Sequence, residues 1–257
     1  MTMKLLVLLL FVTTACAHRN RTAAHHDGTK DIIVNGYFAY PSKVPYVVGL
    51  RLSNGARCGG SVIHNNWILT AAQCLTTDSV EIHYGAIRVD NGRIKHTVTR
   101  EDFFRHPGYP DVGGHDIGLI RTPYVGFSFF INKVSLPNLS QKGERFENSW
   151  AVACGWGGTG SGKLADWLQC IDVQVISNSE CIKTYGSVAD SSMCTSPIDG
   201  KSVCGGDYGG ALVTHDNKIQ VGVIAFSAAS CQGGPSGYTR VTDHLDWIQE
   251  KSGVAYY

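Results

Sequence analysis

From Ile33 onward the chain is a succession of short apolar or alternating runs, each closed by Gly, Asn, Asp or Pro. Tyr46–Leu52, Trp67–Thr70, Val80–Tyr84, Ile117–Ile120, Gln169–Val175 and Gln220–Phe226 are examples, and many are rich in Val and Ile. Runs this short, with β-branched side chains, read as strands. The 30 glycines suit the tight turns between them. A helical period emerges only near the C-terminus, where Val241, Leu245 and Ile248 share a face and Thr242 or Asp243 is placed to cap it. The pattern predicts an all-β fold with one terminal helix. A weak break lies between Thr122 and Lys133, where Pro123 and Gly126 interrupt the pattern.

The chain has 257 residues, enough for a real core, with 43% hydrophobic and 17% charged residues. A net charge of +1 offers no field for nucleic acid or an anionic membrane. Lys4, the apolar run Leu5–Val12 and Ala15-Cys16-Ala17 form a signal-peptide pattern, with cleavage expected after Ala17. The polar stretch 18–32 reads as a propeptide, leaving 33–257 as one secreted domain. Nine cysteines fit an oxidising compartment, and eight remain once Cys16 is removed: Cys58, Cys74, Cys154, Cys170, Cys181, Cys194, Cys204 and Cys231. No C-x-x-C pair or His-spaced cysteine cluster is present, so no metal and no cofactor are expected.

Three segments carry chemistry: Trp67-Ile68-Leu69-Thr70-Ala71-Ala72-Gln73-Cys74, Asp116-Ile117-Gly118-Leu119-Ile120, and Cys204-Gly205-Gly206-Asp207-Tyr208-Gly209-Gly210-Ala211-Leu212. In this order they resemble the histidine, aspartate and serine motifs of the chymotrypsin-like serine peptidases. Ile33-Val34-Asn35-Gly36 resembles that family's mature N-terminus. Asn35-Gly36-Tyr37, Lys43-Val44-Pro45-Tyr46 and Val213-Thr214-His215-Asp216 look most like the Jonah-type insect proteases. The resemblance implies two six-stranded Greek-key β-barrels packed together with a C-terminal helix. The first barrel would span about 33–126, the second about 127–240 and the helix about 242–252 of this sequence.

The departures from that pattern set the functional expectation. Gln73 stands where the resemblance implies the general base, and Tyr208 where it implies the nucleophile; only Asp116 of the triad is kept. A serine attacks a carbonyl only when an adjacent imidazole takes its proton. An amide has no useful basicity near neutral pH, and a phenol titrates near 10. His115, beside Asp116, or a nearby serine is the rival stand-in base or nucleophile. Ala225 and Phe226 match a serine that bonds the aspartate and a tryptophan after it. Ser202 matches the base of the specificity pocket, and Ser227 and Ser236 match walls that are often glycine, so the pocket is expected to be narrowed. Gly206 keeps one oxyanion-hole donor, and Asp207 keeps the acceptor for an Ile33 amine. Ile32, not Lys or Arg, precedes Ile33, so the activating cut is expected to fail.

The resemblance implies the bridges Cys58–Cys74, Cys181–Cys194 and Cys204–Cys231. The family's usual partner for Cys170 matches Ala39, and Cys154 is not a family position. A cross-strand Cys154–Cys170 bridge is expected, the alternative being two buried thiols. Asn138-Leu139-Ser140 is a glycosylation sequon, and Asn20-Arg21-Thr22 lies in the propeptide-like segment. The expectation is a secreted, monomeric, catalytically inactive homologue that binds extracellular proteins or peptides, among them proteases or protease inhibitors, without nucleic acid or membrane. The alternatives are a weak or atypical serine-type endopeptidase in extracellular proteolysis or digestion, and a relic without a molecular role.

Overall fold

The computed structural model describes residues 36–40, 42–110, 114–158, 163–216, 218–229, 231 and 233–256. The first half of the chain forms β1 (Tyr37–Phe38), β2 (Val47–Leu52), β3 (Arg57–His64), β4 (Trp67–Thr70), β5 (Ser79–Tyr84), β6 (Ile94–Thr99), β7 (Phe103–Arg105) and β8 (Gly118–Arg121). The second half forms β9 (Trp150–Gly155), β10 (Gln169–Ile176), β11 (Ser192–Thr195), β12 (Ala211–Thr214), β13 (Gln220–Phe226) and β14 (Ser236–Arg240). Two short helices join them: α1 (Asn178–Tyr185) and α2 (Leu245–Ser252).

The first sheet runs β6-β5-β2-β3-β4-β8-β7. Its two ends, β6 and β7, are consecutive in the chain and separated only by the 3-10 turn Arg100–Asp102. One bent strand therefore pairs with β5 through its first half and with β8 through its second, and the sheet curls into a barrel around Val48, Leu50, Ile68, Leu69, Ile82, Leu119 and Ile120. The second sheet runs β1-β10-β11-β14-β13-β12-β9, and β9 pairs back onto β10, closing six strands into a ring. Alternation sorts β10: Ile171, Val173 and Val175 enter the core, while Asp172, Gln174 and Ile176 are partly exposed. The short β1 belongs to this second ring, opposite Cys170 and Gln169, although it lies early in the chain.

Both barrels and the terminal helix expected from the sequence are present. Details differ at the helices. Thr242 and Asp243 fall in a 3-10 turn, Val241–Asp243, and His244 takes the cap position, so α2 starts two residues later than a Thr242 cap implies and one later than an Asp243 cap implies. Thr242 instead donates its hydroxyl to the Glu144 carbonyl (3.2 Å), tying the turn to a distant loop. Val241, Leu245 and Ile248 are buried together as expected. Helix α1 was not foreseen, though Ser177 caps it by accepting from the Glu180 N–H (3.2 Å) and Gly186 ends it at a φ of 76°.

The barrels meet where β3 approaches the 207–210 turn. Gly59 donates its N–H to the Tyr208 carbonyl (2.7 Å), and a Cβ on Gly59 would lie 3.0 Å from the backbone of Gly210. Ser61 of the first barrel donates to the Gln220 side chain of the second (2.6 Å), fully buried. The candidate residues line this junction.

Candidate functional site

Gln73 sits in the 3-10 turn Ala72–Leu75 that follows β4, and Asp116 sits just before β8, which pairs with β4. That pairing brings the two together. The Gln73 backbone N–H donates to Asp116 Oδ1 (2.8 Å), and Gln73 Nε2 donates to Asp116 Oδ2. Nε2 also donates to the Ala225 carbonyl (2.8 Å) on the second barrel. Both amide hydrogens are thus used, and the remaining Oε1 is an acceptor with no proton affinity near neutral pH. Burial pushes the Asp116 carboxyl above the usual carboxylate range, opposed by hydrogen bonds from Gln73 and the Ala72 backbone. The Thr239 hydroxyl fixes the Asp116 carbonyl from behind (2.8 Å).

Ala225 reaches Gln73 because the β13–β14 register shifts between Ile224 and Phe226, a bulge that turns its carbonyl toward the first barrel. The rival base, His115, is engaged elsewhere: its Nδ1 lies 3.0 Å from His244 Nε2, and its ring stacks on His106 at 4.6 Å.

Tyr208 is half-buried, packed against the cores of both barrels. Its hydroxyl comes nearest to Ser227 Oγ, at 3.4 Å. The partner of the phenol is thus a hydroxyl and not an imidazole. Deeper, Ser202 and Ser236 are buried and joined Oγ to Oγ at 3.1 Å; Ser236 also accepts from the Val203 N–H (3.2 Å), and Ser202 donates to the Val203 carbonyl (2.9 Å). These hydroxyls satisfy one another, and neither supplies a negative charge to hold a basic side chain. The Phe226 ring lies over Gly237, the neighbour of Ser236. A Cβ on Gly237 would fall 2.1 Å from its ring, so the ring occupies the space a side chain at 237 would take. Tyr185 from α1 packs edge-on against Phe226 (5.2 Å, 89°). Sequence reading missed both Tyr185 and Gly237, because a ring's placement over a neighbouring strand leaves no periodic signal.

The turn itself is intact. Gly206 has a φ of 98°, which a side chain would strain. Among the described residues no acceptor takes the N–H of Gly206 or Tyr208, so both remain available to an incoming oxygen. Asp207 points inward, 1% exposed, and accepts from the Gly157 N–H (2.7 Å) and the Cys204 N–H (3.1 Å). Cβ atoms at Gly155 and Gly157 would lie 2.1 and 2.2 Å from its oxygens, so only glycine admits the carboxylate there. Burial pushes its pKa up to about 7, against the two backbone donors. Ile33, the expected amine for this acceptor, lies outside the described residues, as do Ile32 and Asn20.

Four disulfides hold the frame: Cys58–Cys74, Cys154–Cys170, Cys181–Cys194 and Cys204–Cys231. The second joins directly opposed residues of β9 and β10, with Cα atoms 4.1 Å apart. Cys58–Cys74 anchors the turn bearing Gln73, and Cys204–Cys231 the turn bearing Tyr208. Asn138 is exposed, with its side chain accepting from Ser140 Oγ (2.7 Å) and the Gln141 N–H (3.2 Å). Among the described residues no helix is long and apolar enough to cross a membrane.

The trypsin family model matches residues 33–248. Serine protease 1 of Drosophila melanogaster is 48% identical over 237 residues, covering 88% of this chain and 89% of that protein. The collagenase of Hypoderma lineatum is 36% identical over 262 residues, covering 98% of this chain and 99% of its own. The solved structure of HL collagenase superposes with a TM-score of 0.81 at 37% identity, over 87% of this chain and all of that one. The chain that folds into these two disulfide-held barrels is a member of the trypsin family of chymotrypsin-like serine proteases.

Proposed function

We propose that this chain is a non-catalytic member of its family, secreted, that acts by binding extracellular proteins or peptides as a regulator, decoy or scaffold. One observation carries the reading: the side chain beside Asp116 is an amide whose two hydrogens are both bound, to Asp116 and to the Ala225 carbonyl. Gln73 and Tyr208 stand at the family's histidine and serine positions, so neither base nor nucleophile is present. Loss of either group in a comparable triad costs about 10⁶ in kcat, or roughly 8 kcal/mol of transition-state stabilisation. The buried serine pair at the base of the pocket and the Phe226 ring work against substrate capture as well. Four disulfides and the leader-like N-terminus support an extracellular location.

A second reading, a weak serine-type endopeptidase, is favoured by the protease names of the relatives and by the open N–H groups of Gly206 and Tyr208. A direct assay separates them. The purified secreted chain, before and after limited trypsin treatment, is incubated with casein, short chromogenic peptides and a fluorophosphonate probe. Neither turnover nor labelling is expected. Turnover abolished by mutating Tyr208, or a probe adduct on Tyr208, sinks the binding reading. N-terminal sequencing of the secreted protein tests maturation, and a chain beginning at Ile33 would show that the activating cut occurs.

A further inference from the structure

The structure gathers His106, from the turn after β7, His115, one residue before Asp116, and His244, at the start of α2. Each offers a ring nitrogen, and the three ligand atoms lie within 4.8 Å of one another. We propose that these three imidazoles form a binding site for a divalent transition metal, zinc above all, clamping the β7–β8 connection to the C-terminal helix.

The orientation of His244 favours this. Its Nδ1 lies 2.7 Å from the Arg240 carbonyl, an acceptor only, so Nδ1 carries the proton and Nε2 presents a lone pair to the cluster. Ligating histidines are commonly fixed in this way, the second nitrogen donating to a carbonyl. His115 Nδ1 is the donor in the 3.0 Å contact with that lone pair. On metal binding its proton moves to Nε2 of the same ring, and Nδ1 becomes a ligand. A tetrahedral zinc with Zn–N bonds of about 2.0–2.1 Å sets its nitrogens about 3.4 Å apart, so the His115–His244 pair opens slightly and His106 closes in. His106 gives up its acceptor role toward the Gly108 N–H (3.1 Å). Three imidazoles suit zinc, copper and nickel better than magnesium or calcium, and a water completes four-coordination. The Asp243 carboxylate is near enough to feel charge on His115, although Arg240 and Arg145 lie beside it too. His244 is buried and His106 and His115 half-buried, so an ion has a route from solvent.

The experiment is calorimetric titration of the full secreted chain, disulfides intact, with zinc chloride, repeated with His106→Ala and His115→Ala. Wild type is expected to bind one equivalent with roughly micromolar or tighter affinity, and to melt higher with zinc. Removing a group behind a ligand costs about 10–100-fold in affinity, so removing a ligand should cost about 100-fold or more. Cobalt(II) should give a visible d–d band in wild type that both variants lose. Metal-free melting curves show whether the variants fold; His244 is left unchanged because its ring also holds Arg240. Absence of saturable zinc binding overturns the proposal. So does unchanged affinity in either folded variant, which would place the ion on other imidazoles such as His25 and His26.

Discussion

Asp207 makes the stability of the uncut chain depend on pH in a direction opposite to that of most carboxylates. Its folded pKa of about 7 lies above the ordinary value of 3.8 because the carboxylate is buried among Gly155, Gly157 and Cys204, an effect that its two N–H donors oppose without cancelling. A raised folded pKa means that the native state holds its proton longer than the unfolded chain. The contribution is fully present below about pH 4 and is lost as pH rises to about 7. A separation of about three pH units, at 1.36 kcal/mol each, makes the loss about 4 kcal/mol. Asp207→Asn removes the titration. Asparagine supplies one acceptor where two N–H groups point, so a fixed offset of about 1–3 kcal/mol is expected at every pH. The slope therefore carries the test. Guanidinium unfolding of both proteins at half-unit steps from pH 4 to 8 should show wild type losing stability relative to the variant across most of that range, then running parallel above pH 7. Parallel curves throughout would refute the reasoning. A chain processed to begin at Ile33, with its amine on Asp207, should lose the slope, since a cation there lowers the carboxyl pKa.

Three further outcomes are expected. Gln73→His with Tyr208→Ser restores the groups of the triad but not the pocket, so kcat/KM on chromogenic peptides should remain at least about 100-fold below that of an active relative assayed in parallel, the loss expected when reacting groups are misplaced by about 1 Å. Replacing Cys154 and Cys170 by Ala opens a bridge of sequence separation 16 and should cost about 3 kcal/mol, read as a lower denaturation midpoint. Gly237→Val drives the Phe226 ring from its seat and should cost about 1–3 kcal/mol by overpacking, while raising the accessibility of the pocket to a small aromatic probe.

Much of the fold was legible because β-branched runs between turn residues carry their own signal. Trp67–Thr70 and Gln220–Phe226 are strands at the expected positions, and the burial of Val241, Leu245 and Ile248 follows their spacing. The pairing of β1 with β10 was not legible, since two residues have no period and their partner lies more than 130 positions away. Helix α1 had a readable cap in Ser177 and Glu180 but too few apolar positions to show a face. At the site, the residue types of Gln73, Asp116 and Tyr208 stated their chemistry before any geometry. The Ala225 carbonyl as the second acceptor for Gln73 depends on a bulge that the sequence does not mark. The meeting of His106, His115 and His244 depends on three separate elements converging, and a search confined to cysteine-spaced patterns passes over it.

The bond from Gln73 to the Ala225 carbonyl ties the two barrels together at their junction. The spot holds a mortise joint: one side-chain amide reaches from the first barrel to Asp116 on its own side and to the bulged strand across the gap. Removal of the Gln73 side-chain amide would then be felt as loosening between the two halves.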